Sequence, residues 1–341
     1  MTPVPRIGID AMGGDFGPSV VAQGTALAFK EMPGQFHMTL VGDETEIRAG
    51  LKHARAQNLP IEVVHAPEKI EMAEKAAAAV RRKSRSSLGV LTQLHKDGEV
   101  DAIFSAGNTG AVVAAATIGL GRLEGVSRPA LAAFFPNAKQ GSVVLDVGAN
   151  AVCKANYLVQ FAHMGSVYAR YLLGRENPSV GLLSIGEEEN KGNDLVLETH
   201  PLLRRARHLN FVGNVEGRDV FKGTCDVVVT DGFTGNVVLK TAESVATLLG
   251  HKIRQEIEHD LMARFGVVFM APALRRLRAS LDWEEHGAAP LLGVNGVCFV
   301  GHGSSRPKAI KSAIRTLTQF VGERVNEHIR EEIQSDHVTA A

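Results

Sequence analysis

The sequence predicts an α/β fold in which a mainly parallel sheet carries helices on both faces. Three observations point there. Strand-like and helix-like segments alternate along the whole 341 residues, and parallel strands need such crossovers. Segments such as VVV at 227–229 are β-branched and uncharged, as strands buried on both faces are. Most strand segments run into a short turn of Gly, Asn, Asp or Thr and then into helical spacing, which is how an open α/β sheet builds a ligand crevice at its carboxyl edge.

The elements follow in order. RIGID, Arg6 to Asp10, is the first strand, and Pro18 suits the first turn of a helix reaching Glu31. Phe36 to Val41 is a strand, Asp43 caps a helix carrying Ile47 and Leu51, and Pro60 to His65 is the third strand. An Ala-rich helix is expected from Glu71 to Lys83, and another from Ser86 to His95. Val100 to Ser105 is a strand, followed by a small-residue helix through Thr117. Leu131 to Phe135 and Ser142 to Val147 form a hairpin-like pair, and a long helix runs from Ala155 to Leu173. Ser179 to Ile185 is a strand, Asp194 to Arg207 a helix and Asn210 to Gly213 a short strand. Val227 to Val229 is a strand, TDGFTGN a bend, and helical spacing resumes through Val238, Leu239, Ala242 and Val245. Gly296 to Val300 is the last strand. A closing amphipathic helix spans Pro307 to His328. The expected organisation is one domain over 1–330 with a helical hairpin inserted at about 250–285 and a motif-free tail at 331–341.

Composition narrows the function. Lys plus Arg and Asp plus Glu both number 37, so the net charge of zero argues against general nucleic-acid binding. The three cysteines, Cys153, Cys225 and Cys298, form no C-x-x-C pair, which disfavours a disulfide framework or a zinc–thiolate site. The N-terminus lacks a basic stretch followed by an apolar one, so a cytosolic protein is expected.

The chemistry should lie in the turns. Glycine turns at helix N-termini free amides for anions, phosphate above all. Candidates are Asp10, Gly13 and Gly14 in DAMGGD, Asn108 and Thr109 in SAGNTG, and Gly148 and Asn150 in DVGAN. Further on come Asp231, Gly232, Thr234, Gly235 and Asn236 in TDGFTGN, and His302 and Gly303 in GHGSS. None matches the nucleotide P-loop or the dinucleotide G-x-G-x-x-G spacing, leaving a small-anion or acyl-phosphate crevice. Aspartates in such turns cap helices as readily as they serve a site. Lys191, inside GEEENKGND, either neutralises an anion or is balanced by Glu187, Glu188 and Glu189. In the segment from Leu261 to Leu281, Leu261, Phe265, Val268 and Phe269 share one face. Met270 follows, a break is expected near Pro272, and Leu274 begins a stretch alternating with arginines. Such an element suits a membrane surface or the interface with a second copy.

Taken together, IGIDAMGGDFGP, FSAGNTGA, LDVGAN, NKGND, NFVGNVEGRD, VVVTDGFTGNVVLK and LLGVNGVCFVGHGSS resemble the PlsX family of bacterial phosphate acyltransferases, in order from Arg6 to about Val325. The resemblance implies a three-layer αβα fold similar to phosphotransacetylase and the isopropylmalate dehydrogenases, and a homodimer. It implies transfer of a fatty acyl group from acyl carrier protein to inorganic phosphate, with neither cofactor nor metal. Lys191 and Asn236 occupy the positions of residues implicated in the family. It also implies peripheral association with the inner face of the cell membrane through Leu261 to Leu274, where the acyl phosphate passes to a glycerol-phosphate acyltransferase. Rival readings are a dehydrogenase on a related fold, which needs a dinucleotide site, and a non-catalytic scaffold of lipid synthesis.

Overall fold

A computed structural model describes residues 3–281 and 288–340. The sheet begins with β1 (Arg6–Asp10), β2 (His37–Gly42), β3 (Ile61–His65) and β4 (Ala102–Ser105), interleaved with α1 (Gly17–Glu31), α2 (Glu44–His53), α3 (Ala76–Arg82) and α4 (Ser87–Lys96). After α5 (Thr109–Gly119) come β5 (Ala130–Phe135), β6 (Ser142–Leu145), α6 (Ala155–Leu173), β7 (Ser179–Leu183), α7 (Asp194–Arg205) and β8 (Asn210–Val215). The chain ends with α8 (Gly217–Lys222), β9 (Val227–Val229), α9 (Gly232–His259), α10 (Leu261–Leu281), β10 (Ala289–Leu292), β11 (Cys298–Val300), α11 (Pro307–Gly322) and α12 (Val325–Ala340).

Among the described residues the strand order is β3-β2-β1-β4-β11-β10-β5-β6-β9-β7-β8. Two parallel blocks, β3-β2-β1-β4-β11 and β6-β9-β7-β8, meet at an antiparallel seam made by β10 and β5. Both faces are covered: Val227 and Val229 belong to one core cluster and Val228 to the other. That explains the absence of polar residues in this strand. The same alternation sends Leu145 to the first cluster and Val144 to the second.

Several boundaries differ from the expectations. The Ala-rich helix starts only at Ala76, because Glu71 and Glu74 close a turn on each other; Glu71 N–H donates to Glu74 Oε1 at 2.9 Å. Glu74 is then held by Arg82 at 2.7 Å and Lys83 at 2.5 Å. No break occurs at Pro272, which lies inside α10; the break falls at Asp260, between α9 and α10, and its side chain caps the Met262 amide at 2.7 Å. TDGFTGN is no bend, since α9 begins at Gly232. The closing helix is two helices, divided near Arg324, whose φ is 52°. The second carries buried Ile329 and Ile333 against α6. Short α8 and β10 had no usable signal; β10 is four residues with a proline inside.

His95 staples the end of α4 to the entry of β11. Its Nδ1 lies 2.9 Å from the Val100 carbonyl, and its Nε2 accepts from the Val297 amide at 2.8 Å. Only a neutral ring proton-bearing on Nδ1 satisfies both. Burial pushes its pKa down accordingly. The contribution is complete above the unfolded histidine value of about 6.5 and is lost as pH falls toward the folded pKa. Urea unfolding from pH 7.5 to 5.5 should therefore show stability dropping by about 1 kcal/mol per pH unit below that point. His95→Gln should be less stable at pH 7.5 and show a shallower slope; an unaltered slope contradicts the assignment.

Candidate functional site

In the β6-β9-β7-β8 block, the corners are built around buried carboxylates. Asp146 follows β6 and is 0% exposed. It accepts from the amides of Leu131 (3.1 Å), Gly148 (3.0 Å), Ala149 (2.9 Å) and Asn150 (2.7 Å), and from Asn150 Nδ2 (2.8 Å). Burial pushes its pKa up against these donors, yet five N–H contacts can be satisfied in full only by a carboxylate. Asn150 Nδ2 also donates to the Pro129 carbonyl at 2.7 Å. The DVGAN amides are thus turned inward onto Asp146.

The start of α9 is seated on this corner. A Cβ on Gly235 would lie 2.0 Å from the Asp146 carbonyl oxygen, and one on Gly232 would lie 2.5 Å from the Asn150 carbonyl oxygen. Only glycine lets the helix approach so closely. Asp231 is its N-cap, accepting from Phe233 N (3.0 Å), Thr234 N (2.9 Å) and Thr234 Oγ1 (2.8 Å). Gly232 N donates to the Asn150 carbonyl and Gly235 N to the Asp231 carbonyl, each at 2.9 Å. The amides of Gly232, Phe233, Thr234 and Gly235, expected to meet an anion at TDGFTGN, are bonded within the protein, and Asp231 caps the helix through Phe233 and Thr234. What the corner presents outward is the exposed side chain of Asn236. It faces Gly148, where a Cβ would sit 3.6 Å from Asn236 Oδ1.

The β1-β4-β11 corners differ. Asp10 is buried and accepts from Ser105 Oγ at 2.7 Å and Met12 N at 3.0 Å; burial pushes its pKa up. It therefore braces the DAMGGD loop against SAGNTG and opposes an anion less than an exposed aspartate would. Gly13 approaches so near that a Cβ would lie 2.8 Å from Gly107 N. Asp15 N donates to the Gly303 carbonyl at 2.8 Å, tying this loop to GHGSS. Asn108 caps α5 through Ala111 N at 3.0 Å and donates to the Met72 carbonyl at 2.8 Å. The amides of Gly14, Thr109 and Gly110 have no partner among the described residues.

Lys240, four residues beyond Asn236 on α9, links the two sets: its ammonium lies 3.3 Å from His302 Nε2 and 2.8 Å from Glu243. An ammonium only donates, so Nε2 accepts; the other ring nitrogen, Nδ1, lies 2.7 Å from Ser304 Oγ and 3.2 Å from the Ser304 amide. Lys240 was not singled out from the sequence, where it is one more lysine after a helical start.

In the Lys191 loop two of the three glutamates pair with arginines. Glu187 pairs with Arg218 at 3.1 Å and Glu189 with Arg204, while the Lys191 ammonium has no carboxylate partner among the described residues. The loop itself is fixed: Ser184 Oγ donates to the Lys191 carbonyl at 3.1 Å and Asn214 Nδ2 to the Glu188 carbonyl at 2.8 Å. Lys191 and Asn236 do not line one cavity. Gly192 and Asn193 border a cavity with Thr230, Asp231 and Thr234, whereas Asn236 and Lys240 border an open groove along α9. The thiols are held protonated, burial pushing Cys153 up to about 11 and Cys225 and Cys298 to about 12.

Along α9 and α10, large apolar side chains are exposed: Leu248, Leu249 and Ile253 on the first, Met262, Phe265, Val268, Phe269 and Met270 on the second. Leu274 is half-buried, and the side chain of Leu261 lies outside the described set. No helix of the described residues is long and apolar enough to cross a membrane.

Comparison with known proteins adds four findings. Residues 5–328 match the family described as "Fatty acid synthesis protein". The phosphate acyltransferase of Pelotomaculum thermopropionicum is 49% identical over 336 residues, covering 98% of this chain and 97% of that protein. The phosphate acyltransferase of Geobacter sulfurreducens is 45% identical over 331 residues, covering 97% and 95%. Among solved structures, a phosphotransacetylase from Streptococcus pyogenes superposes with a TM-score of 0.60 at 18% identity, over 93% of this chain and 94% of that one. At that identity the likeness concerns the fold, and it agrees with the expected three-layer αβα architecture.

The seating of α9 makes a specific demand. Gly235→Ala forces a methyl into the Asp146 carbonyl and should destabilise the protein by about 3 kcal/mol or more in urea unfolding. Gly250→Ala, on the same helix with open space around it, should be neutral or stabilising. Equal effects at the two positions would mean that α9 does not sit as described.

Proposed function

The chain belongs to the phosphate acyltransferase (PlsX) family of fatty-acid-synthesis proteins, and from this we propose that it transfers a fatty acyl group from a thioester to inorganic phosphate, giving acyl phosphate for phospholipid synthesis. The observation that supports the site assignment is Lys191: a fixed loop presents an ammonium without a carboxylate partner among the described residues, while two of the three neighbouring glutamates, Glu187 and Glu189, pair with arginines.

In this reading a phosphate oxygen attacks the thioester carbonyl carbon. The carbonyl electrons move onto oxygen, and the tetrahedral intermediate collapses with loss of the thiolate. Phosphate is already an anionic nucleophile, so neither a protein nucleophile nor a general base is required, in keeping with thiols held protonated. Asn236 Nδ2 donates to the developing oxyanion, and the carboxylate-clamped corner beneath fixes the helix start that carries it. Lys191 draws in the phosphate and offsets its repulsion with the oxyanion. Backbone donors to the phosphate come from Gly14, Thr109 and Gly110, with Lys240 and His302 alongside. Asp10, Gly13 and Asn108 shape that wall, while Asp231, Gly232, Thr234, Gly235, Gly148 and Asn150 serve the fold of the other.

The donor is the thioester of acyl carrier protein, an acidic partner suited to exposed arginines such as Arg205 and Arg207. The protein acts as a homodimer, in the cytoplasm and peripherally on the membrane. The exposed apolar run from Phe265 to Met270 supplies the contact, and acyl phosphate passes to the glycerol-phosphate acyltransferase.

Acyl-carrier protein plus phosphate should give phosphate-dependent thiol release, with acyl phosphate visible by phosphorus NMR. Lys191→Ala and Asn236→Ala should each lower kcat about 100-fold or more while leaving the melting temperature unchanged. A variant that turns over near the normal rate removes that residue from the mechanism. Activity indifferent to ionic strength argues against charge-led docking.

A further inference from the structure

A cavity of about 330 Å³ opens beside the Lys191 loop, in the size range of small-molecule sites of ~300–1,000 Å³. Its floor is apolar: Leu158 of α6, Leu183 at the end of β7, and Leu195 and Val196 of α7. Ile185 stands at the mouth, 81% exposed, and gives the rim an apolar side chain continuous with the floor. Polar groups on the walls are already engaged. The Thr234 hydroxyl donates to Asp231, Asp231 accepts from two amides, Asn193 accepts from Val196 N at 3.0 Å, and Ser184 donates to the Lys191 carbonyl. A polar ligand would find few open partners there, whereas a hydrocarbon loses nothing by entering. The mouth nevertheless adjoins Lys191, since Gly192 is its neighbour in the chain and lines the cavity. An occupant therefore has a hydrocarbon body and an anionic or electron-rich head.

We propose that this cavity is the subsite for the fatty acyl chain, which enters past Ile185 and lies over Leu158, Leu195 and Val196 while its carbonyl head stays near Lys191. The proposal deepens the acyltransferase reading and rests on it. Its corollary is that the side chains on the floor set acyl-chain length.

The test compares kcat/KM for palmitoyl and octanoyl thioesters of the carrier protein. Leu195→Trp shortens the cavity. Each methylene left unburied costs about four-fold, so exclusion of two or more should lower the palmitoyl-to-octanoyl ratio at least about ten-fold. Ile185→Ser, at an exposed position that folding does not depend on, should lower the ratio in the same direction by a smaller factor. An unchanged ratio in both folded variants overturns the proposal. So does a shift produced instead by Val245→Trp or Leu248→Trp, which would place the chain on the α9 groove. A readout that needs no turnover separates this from failure of the acyltransferase reading: palmitate bearing a terminal diazirine, irradiated with the unaltered protein, should label Leu195 or Val196. Labelling confined to α9 or α10 contradicts the subsite even if acyl phosphate is made, and labelling at Leu195 supports it even if none is.

Discussion

One buried carboxylate fixes the geometry on which the site depends. Asp146 gathers five N–H donors from two stretches of chain and so locks the turn after β6. Two glycines then let α9 rest directly on that turn. Leaving those donors buried and unpaired would cost roughly 1–3 kcal/mol apiece, so the corner is held far more firmly than an ordinary loop. The consequence for chemistry is a trade: amides that face a carboxylate cannot face a substrate. In this block the backbone supplies rigidity, and in the proposed reaction the donors would be side chains, Asn236 above all.

The opposite block shows the complementary choice. Asp10 is buried and bonded to Ser105, so it braces the loops without standing exposed beside the crevice. The amides of Gly14, Thr109 and Gly110 are left over. Lys240 reaches from α9 to His302 and joins the two blocks across the antiparallel seam. Phosphate and thioester would thus be received by different walls, one rich in backbone donors and the other in fixed side chains. Such a division suits a reaction whose catalysis lies in placing two electron-rich partners against each other.

Much of the fold was legible because the signals were local and strong. The β-branched run at 227–229, the Asp43 cap and the Ala155–Leu173 periodicity all state their structure within a few residues. The parts that were not legible depend on distant partners. Nothing near Gly235 says that Asp146 lies against it, so TDGFTGN reads as a bend before a helix when it is largely the helix start itself, pinned from outside. The β10 strand exists because β11 and β5 flank it, and its own four residues carry a proline. Lys191 was balanced on paper by three glutamates; only the positions of Arg204 and Arg218 reveal that two of them are taken. Asp146 and Asp231 likewise could have capped turns or served a site, and the difference lies in where their hydrogen bonds end.

The amide assignment can be read out directly by titrating inorganic phosphate into nitrogen-labelled protein and following backbone N–H resonances. The account predicts that Gly14, Thr109 and Gly110 shift with phosphate concentration, while Gly148, Ala149, Asn150, Phe233 and Thr234 stay in place because carboxylates already hold them. Shifts concentrated at Phe233 and Thr234, with Thr109 and Gly110 unmoved, would contradict it.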